Sequence, residues 1–225
     1  MQQTIAKSFK DLFSGTVLAF MVKTTLISLV ITAIAGWLVK DVLTGFVKGY
    51  LSWIPWEWAQ TSGAAVAAIA IVYTLFILIH AIVTSLMIEP LLIRLAKKEY
   101  PDVPVVGTAD ISTSVILSLK AGLVFLLLFL FTFPVMFIPL VGAVWMLWLW
   151  SILLREPTLY DVTSLFFKEK ESALKRYKKG TTLLAMIASG FNYIPVLNIF
   201  SPVFAQILFL HHILLGSREQ GAGSR

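Results

Sequence analysis

Few residues in this chain are of types that make and break bonds, and their spacing narrows the field further. The three histidines are His80, inside a long apolar run, and the adjacent pair His211 and His212. Neighbours on a helix point about 100° apart, so that pair alone makes a strained two-ligand site, and core or interfacial histidines are expected instead. No H-E-x-x-H spacing and no Gly-rich phosphate loop occurs, and there is no cysteine to give a disulfide, a reactive thiol or a sulfur-ligated metal. The sequence therefore predicts no enzyme, no metal and no cofactor. What remains is polar chemistry in apolar surroundings: Lys23 within one hydrophobic run, and Gly142 and Asn198 at breaks in two others.

Those breaks resemble one another. Phe137-Ile138-Pro139-Leu140-Val141-Gly142 is matched 56 residues later by Tyr193-Ile194-Pro195-Val196-Leu197-Asn198. Each lies between two apolar arms and follows a basic stretch, ending near Lys120 in one case and running from Arg176 to Lys179 in the other. Apolar segments interrupted at corresponding positions point to binding sites in transporters. A helix that begins inside the membrane turns free amides and the positive end of its dipole toward the break, and such a terminus can hold an anion without a charged side chain. Asn198 stands where an N-cap would, with Gly142 in the matching place, and capping alone would account for the asparagine. Lys23 lies near the start of its run, where its stem either snorkels to the head groups or brings a charge to an anion at the cytoplasmic mouth.

The elements that must position these residues follow from composition. Of 225 residues, 58% are hydrophobic and 13% charged, against about 25% charged in ordinary soluble domains. A soluble core cannot hide that much apolar surface, which excludes a soluble enzyme, a secreted disulfide scaffold and a disordered chain. The net charge of +6 would suit nucleic acid in a soluble protein. Here the basic residues fill gaps between apolar runs, so membrane lipids, including anionic head groups, are the expected partners and nucleic acid is not. The Ala33-Ile34-Ala35 triplet mimics a signal-peptidase site, but the region before it is too long and polar for a cleaved signal peptide.

An interfacial helix is predicted over 1–14, where Lys7, Lys10 and Asp11 alternate with Ile5, Phe9, Leu12 and Phe13. Runs 17–39 and 61–88 are long enough to span. Between them lies a linker with Gly45, Gly49, Pro55 and an aromatic belt of Trp53, Trp56 and Trp58. Glu89-Pro90 then opens a polar stretch through Arg94, Lys97, Lys98 and Glu99. Two hairpins follow, 111–154 and 172–215, before a flexible tail at 216–225. The apolar arms of the first, 121–133 and 144–154, reach only about 20 Å or less, which predicts partial insertion. Fifteen of the eighteen Lys and Arg residues fall on one side, against Lys40 and Lys48 on the other. The expected orientation has both termini and both hairpin bases in the cytoplasm.

On these residues the chain resembles the CysZ sulfate permeases and their wider superfamily, which includes the eukaryotic etoposide-induced membrane proteins. The resemblance rests on Ile194-Pro195-Val196-Leu197-Asn198-Ile199-Phe200, on the 137–142 turn, and on the Pro90 segment running into Leu95-Ala96. It covers the chain from about Ser8 to Leu215. It implies an all-α polytopic membrane protein, one domain over 1–225, with two long transmembrane helices and two partly inserted helical hairpins. It further implies a homo-oligomer that moves sulfate or another small anion across the bacterial inner membrane. Sulfate contact near a Gly-x-Arg motif entering the first long helix is also implied. The matching stretch here, Ser14-Gly15-Thr16-Val17-Leu18, keeps Gly15 but carries Val17 and Leu18 where the arginines belong. Gly15, Thr16, Lys23, Gly142 and Asn198 are thus the candidate anion-binding residues. The alternative from another class is a non-transporting, membrane-shaping or assembly protein, with hairpins wedged into one leaflet and Lys168 to Lys179 on anionic lipid.

Overall fold

The computed structural model describes residues 1–52, 55–132, 134–135 and 138–223, with side chains described except at scattered positions between 43 and 78 and beyond 218. The α-helices are α1 (Gln2–Leu12), α2 (Gly15–Leu51), α3 (Glu57–Glu99), α4 (Ile111–Thr132), α5 (Val141–Phe166), α6 (Lys170–Tyr177), α7 (Thr181–Ser189) and α8 (Phe200–Gly223). Short 3-10 turns, Gly190–Tyr193 and Leu197–Ile199, lie between α7 and α8. Among the described residues four segments are long and apolar enough to cross a membrane: Gly15–Val42, Ala64–Glu99, Ile111–Thr132 and Leu197–Arg218. The chain is an all-α polytopic membrane protein with four such segments.

Several helices outrun the boundaries expected of them. α2 continues through Gly45 and Gly49, and α3 begins at Glu57, so the linker shrinks to residues 52–56. Trp53 lies outside the described residues, as does the side chain of Trp58, while Trp56 is exposed. α3 also passes through Pro90 to Glu99. An interior proline costs about 3 kcal/mol, but the turns beyond it bury Leu91, Leu92, Leu95, Ala96 and then Tyr100. Burial of that stripe outweighs the lost backbone bond. The arms flanking the first break are likewise longer than their charge-free stretches. α4 has 22 residues and α5 has 26, because a helix ends at its cap rather than at its first charge. Asp110 caps α4, its Oδ2 accepting from the Thr113 amide at 2.8 Å and the Thr113 hydroxyl at 2.7 Å.

Gly180 at φ +84° separates α6 from α7, a left-handed position that only glycine adopts without strain. Residues 216–223, placed in a tail by the sequence, continue α8 through Gly223. Within this part of α8, Gly216 lies against the Tyr177 ring and Arg218 reaches Asp102 at 3.4 Å.

By packing, the chain divides into two compact units: Met1–Met21 with Ser85–Arg225, and Val22–Thr84. In the second unit Thr24, Ser28 and Thr32 recur at helical spacing on α2 and are buried, as are His80 and Thr84 of α3. Ser28 Oγ lies 3.3 Å from His80 Nδ1, and Phe76 stacks on the imidazole with centroids 5.7 Å apart. Polar contacts of this kind join helices where apolar lipid gives no hydrophobic drive. In the first unit α8 is the hub, packed on α1, α5 and α7. Its residues Val203–Phe204–Ala205 and Ile207 to Leu210 are wholly buried. α4 packs chiefly against α5 and buries only Ala121 fully.

Candidate functional site

The two breaks fold alike. Among the described residues Leu140 and Val196, 56 residues apart, are the non-glycine residues at positive φ, +62° and +72°. Their ψ values are −49° and −43°. This is the strained γ-turn region, most unfavourable for a β-branched side chain. The hydrogen bonds match with the same offset. Ile138 N–H donates to the Val135 carbonyl at 3.1 Å, as Ile194 donates to Phe191 at 3.2 Å; Gly142 donates to Ile138 at 2.8 Å, as Asn198 donates to Ile194 at 3.2 Å. The proline before each positive-φ residue fixes the entry angle. Phe137, the aromatic start of the first motif, lies outside the described residues.

The structure sets the two turns side by side. The Tyr193 hydroxyl, in the second, donates to the Ala143 carbonyl in the first turn of α5. Its ring meets Trp150 edge-on at 5.0 Å. Gly142 and Asn198 thus occupy equivalent corners of adjacent turns. Gly142 is buried, and Asn198 is half-buried with Oδ1 closed off and unpartnered. Asn198 sits inside the Leu197–Ile199 turn, and its unpartnered Oδ1 is not spent on capping. No Asp, Glu, Lys or Arg occurs in 121–154 or 181–217; an ion at these turns would meet dipoles alone.

The other candidate residues lie elsewhere. Gly15 and Thr16 open α2 and are exposed, with open space around a Cβ built at Gly15. Val17 is fully buried in the core with Leu12 and Met21, and Leu18 is exposed. Lys23 belongs to the other compact unit and is exposed.

Two polar networks in the first unit were not singled out by the sequence. His211, fully buried, lies between Asp11 (Nε2 to Oδ2, 2.8 Å) and the Tyr100 hydroxyl (Nδ1, 2.7 Å). Burial alone would raise the Asp11 carboxyl. The His211 hydrogen bond and charge, with Lys98 and Lys10, outweigh it and hold Asp11 below its ordinary value. Burial pushes the Tyr100 hydroxyl up, and Glu99 adds to the effect. The polar residues Thr4, Ser8 and Asp11 share the buried face of α1 with Leu12. Phe9 packs on Phe204 at 4.6 Å. The alternation in 1–14 marked the helix but not which face turns inward. His211 is a core histidine, and among the described residues no group of three or more metal-ligating side chains occurs.

The second network joins three helices. Asp161 of α5 accepts from Ser114 Oγ of α4 at 2.7 Å and from Gln206 Nε2 of α8 at 3.0 Å. Burial pushes its carboxyl up, the two hydrogen bonds pull it down, and Glu89 pushes it further up; the net direction is upward. Gln206 Oε1 is buried without a partner. An acid inside the apolar run Leu159 to Phe166 was the available signal for this network.

A helical membrane protein with a duplicated, strained turn defines a class before it defines a family. The family model described as "Sulfate transporter CysZ/Etoposide-induced protein 2.4" matches residues 4–202. The chain belongs to that family, and family and fold together support membrane transport of the CysZ-like kind rather than enzymatic catalysis. No curated protein and no solved structure matches the chain significantly.

Proposed function

We propose that the chain carries sulfate or another small inorganic anion across the bacterial inner membrane, as a homo-oligomer, along a path past the paired turns. The observation that carries this reading is the pairing itself. Two turns of one backbone design are joined by Tyr193 and flanked by helices without formal charge, and they present Gly142 and the unpartnered Oδ1 of Asn198. Strained backbone of this kind concentrates at functional sites. In this reading the helix pairs around the turns enter the bilayer partly, as hairpins. Both termini are cytoplasmic, and Gly15, Thr16 and Lys23 meet the anion at the mouth of the first long helix. Val17 and Leu18 supply no guanidinium fork there, so selectivity for sulfate over similar anions is expected to be modest.

Influx of radiolabelled sulfate and thiosulfate into proteoliposomes tests the reading. Saturable influx above protein-free vesicles is expected; background influx by folded, correctly assembled protein would end it. Lys23→Met should weaken anion binding about two- to fivefold, as an exposed charge does, whereas unchanged affinity would assign Lys23 to snorkelling. The absence of native cysteine permits single Gly142→Cys and Asn198→Cys labels. Impermeant thiol reagents should label neither from the outer face, and outer labelling of both would replace partial insertion with full spans.

A further inference from the structure

We propose that Arg155 of α5 holds a tetrahedral oxyanion, either a free inorganic ion of the sulfate or phosphate type or the phosphate of a lipid head group. Arg155 ends the 34-residue stretch 121–154 that carries no formal charge. Four arginines have described side chains. Arg94, Arg176 and Arg218 are exposed, but Arg155 is only half-exposed and its Nε is closed off from water with no hydrogen-bond partner. Among the described residues no carboxylate pairs with it, and the carboxylate of neighbouring Glu156 is engaged by Lys178 at 3.2 Å. A guanidinium stays charged at every accessible pH and presents five donors. Leaving the Nε–H hidden and unpaired beside an apolar run is costly unless something anionic completes it.

The geometry opposes simple snorkelling. Helical side chains lean toward the N-terminus of their helix. The Cα–Cβ bond of Arg155 therefore tilts toward the uncharged arm and away from the polar segment that follows. Ser151, Thr158 and Leu159, its neighbours at helical spacing, are all buried, so this stripe of α5 faces protein. The planar fork matches two oxygens of a sulfate or phosphate group, which an ammonium does not. The site needs no net transport. A failed influx experiment would leave it standing, and its own failure would leave the transport reading standing.

The test uses the full chain in nanodiscs, comparing wild type with Arg155→Gln, Arg155→Lys and the exposed control Arg94→Gln. One arm titrates sodium sulfate against sodium chloride at constant ionic strength in discs of phosphatidylcholine alone. The other counts phosphatidylglycerol retained from mixed discs by native mass spectrometry. Arg155→Gln should lose about tenfold in one arm, with Arg155→Lys recovering little of it and Arg94→Gln keeping wild-type values. Loss of sulfate binding identifies the free ion, and loss of phosphatidylglycerol identifies the lipid phosphate. The proposal is overturned if folded Arg155→Gln matches wild type in both arms, if Arg94→Gln loses as much, or if wild type neither binds sulfate nor prefers phosphatidylglycerol. Should Arg155→Gln fail to fold, Arg155→Lys decides, and wild-type behaviour in both arms overturns it.

Discussion

The two turns share a backbone but not an environment. Around the first, α4 meets little but α5, and most of its side chains point away from the protein. Around the second, α7 is short and α8 is sunk among α1, α5 and α7. The same Ile-Pro-x turn design therefore closes one helix pair that faces outward and one that forms the hub of its unit. Local sequence sets the turn. What surrounds it depends on anchors far away in the chain, above all the Asp11–His211–Tyr100 chain of bonds, for which the first turn has no counterpart among the described residues.

The strongest way to break this contrast is to cut that anchor. Asp11→Asn leaves His211 buried with a poorer partner and should cost about 3 kcal/mol, the upper range for a buried hydrogen bond to a charged group. Thermal unfolding in detergent gives the loss. Hydrogen exchange gives its location: amides of α1 and α8 should open while those of α4 stay as in wild type, and uniform opening would refute the separate anchoring of the second turn. The pH dependence carries the sign. Asp11 titrates below its ordinary value when folded, so its contribution is present above the unfolded carboxylate pKa and fades as pH falls through the depressed one. The gap between wild type and Asp11→Asn should narrow below about pH 4.

How much of this was legible in the sequence depends on the kind of force involved. The long apolar runs, the breaks at Pro139 and Pro195 and their 56-residue offset were readable because they are local and periodic. The backbone bonds at Ile138 and Ile194 carry the same offset. Helix ends were less readable, because burial of Leu91 to Tyr100 carries α3 past Pro90. The buried networks were not readable at all from spacing. Asp11 and His211 are 200 residues apart, and Asp161 and Gln206 are 45 apart; no periodicity reports a contact made only by folding. Of the candidate site residues, Gly142 and Asn198 were found through the visible repeat and lie in the two turns that Tyr193 joins, whereas Lys23 falls in another unit.

The next effect is smaller and has the opposite pH sign. Asp161 ties the outward pair to the hub through Ser114 and Gln206, and its folded carboxyl titrates above the ordinary value. Stability linked to it is full below the unfolded pKa and is lost as pH rises through the raised one. In Asp161→Asn the unpartnered Gln206 Oε1 can turn to accept from the new amide, so the expected cost is about 1–2 kcal/mol at pH 4. That cost should shrink as pH rises toward 8, read as the difference in melting temperature between the two proteins. A gap that widens instead would show that the charged form is the one the fold prefers. Tyr193→Phe comes next. It removes the bond to Ala143 while keeping the ring on Trp150, so about 1 kcal/mol is expected, and sulfate influx should change more than stability if the pairing of the turns serves transport.

The smallest effect separates the turns from each other. Glycine at a positive-φ position removes steric strain of about 1–3 kcal/mol, while the added freedom of the unfolded chain takes back roughly 0.5–1 kcal/mol. Val196→Gly should therefore stabilise by about 1 kcal/mol, because a β-branched residue tolerates this conformation worst. Leu140→Gly should gain about half as much, since leucine is less strained there and its side chain, 82% exposed, contributes little packing within the chain. If the strain serves transport, the stabilised variants should carry anion more slowly although they melt higher, which is the trade-off expected of a strained functional site. Higher melting with unchanged influx would leave the duplicated turn as a device for reversing the chain and nothing more. Lower melting at both positions would mean that the Leu140 and Val196 side chains make contacts in the bilayer or the oligomer that outweigh their backbone strain.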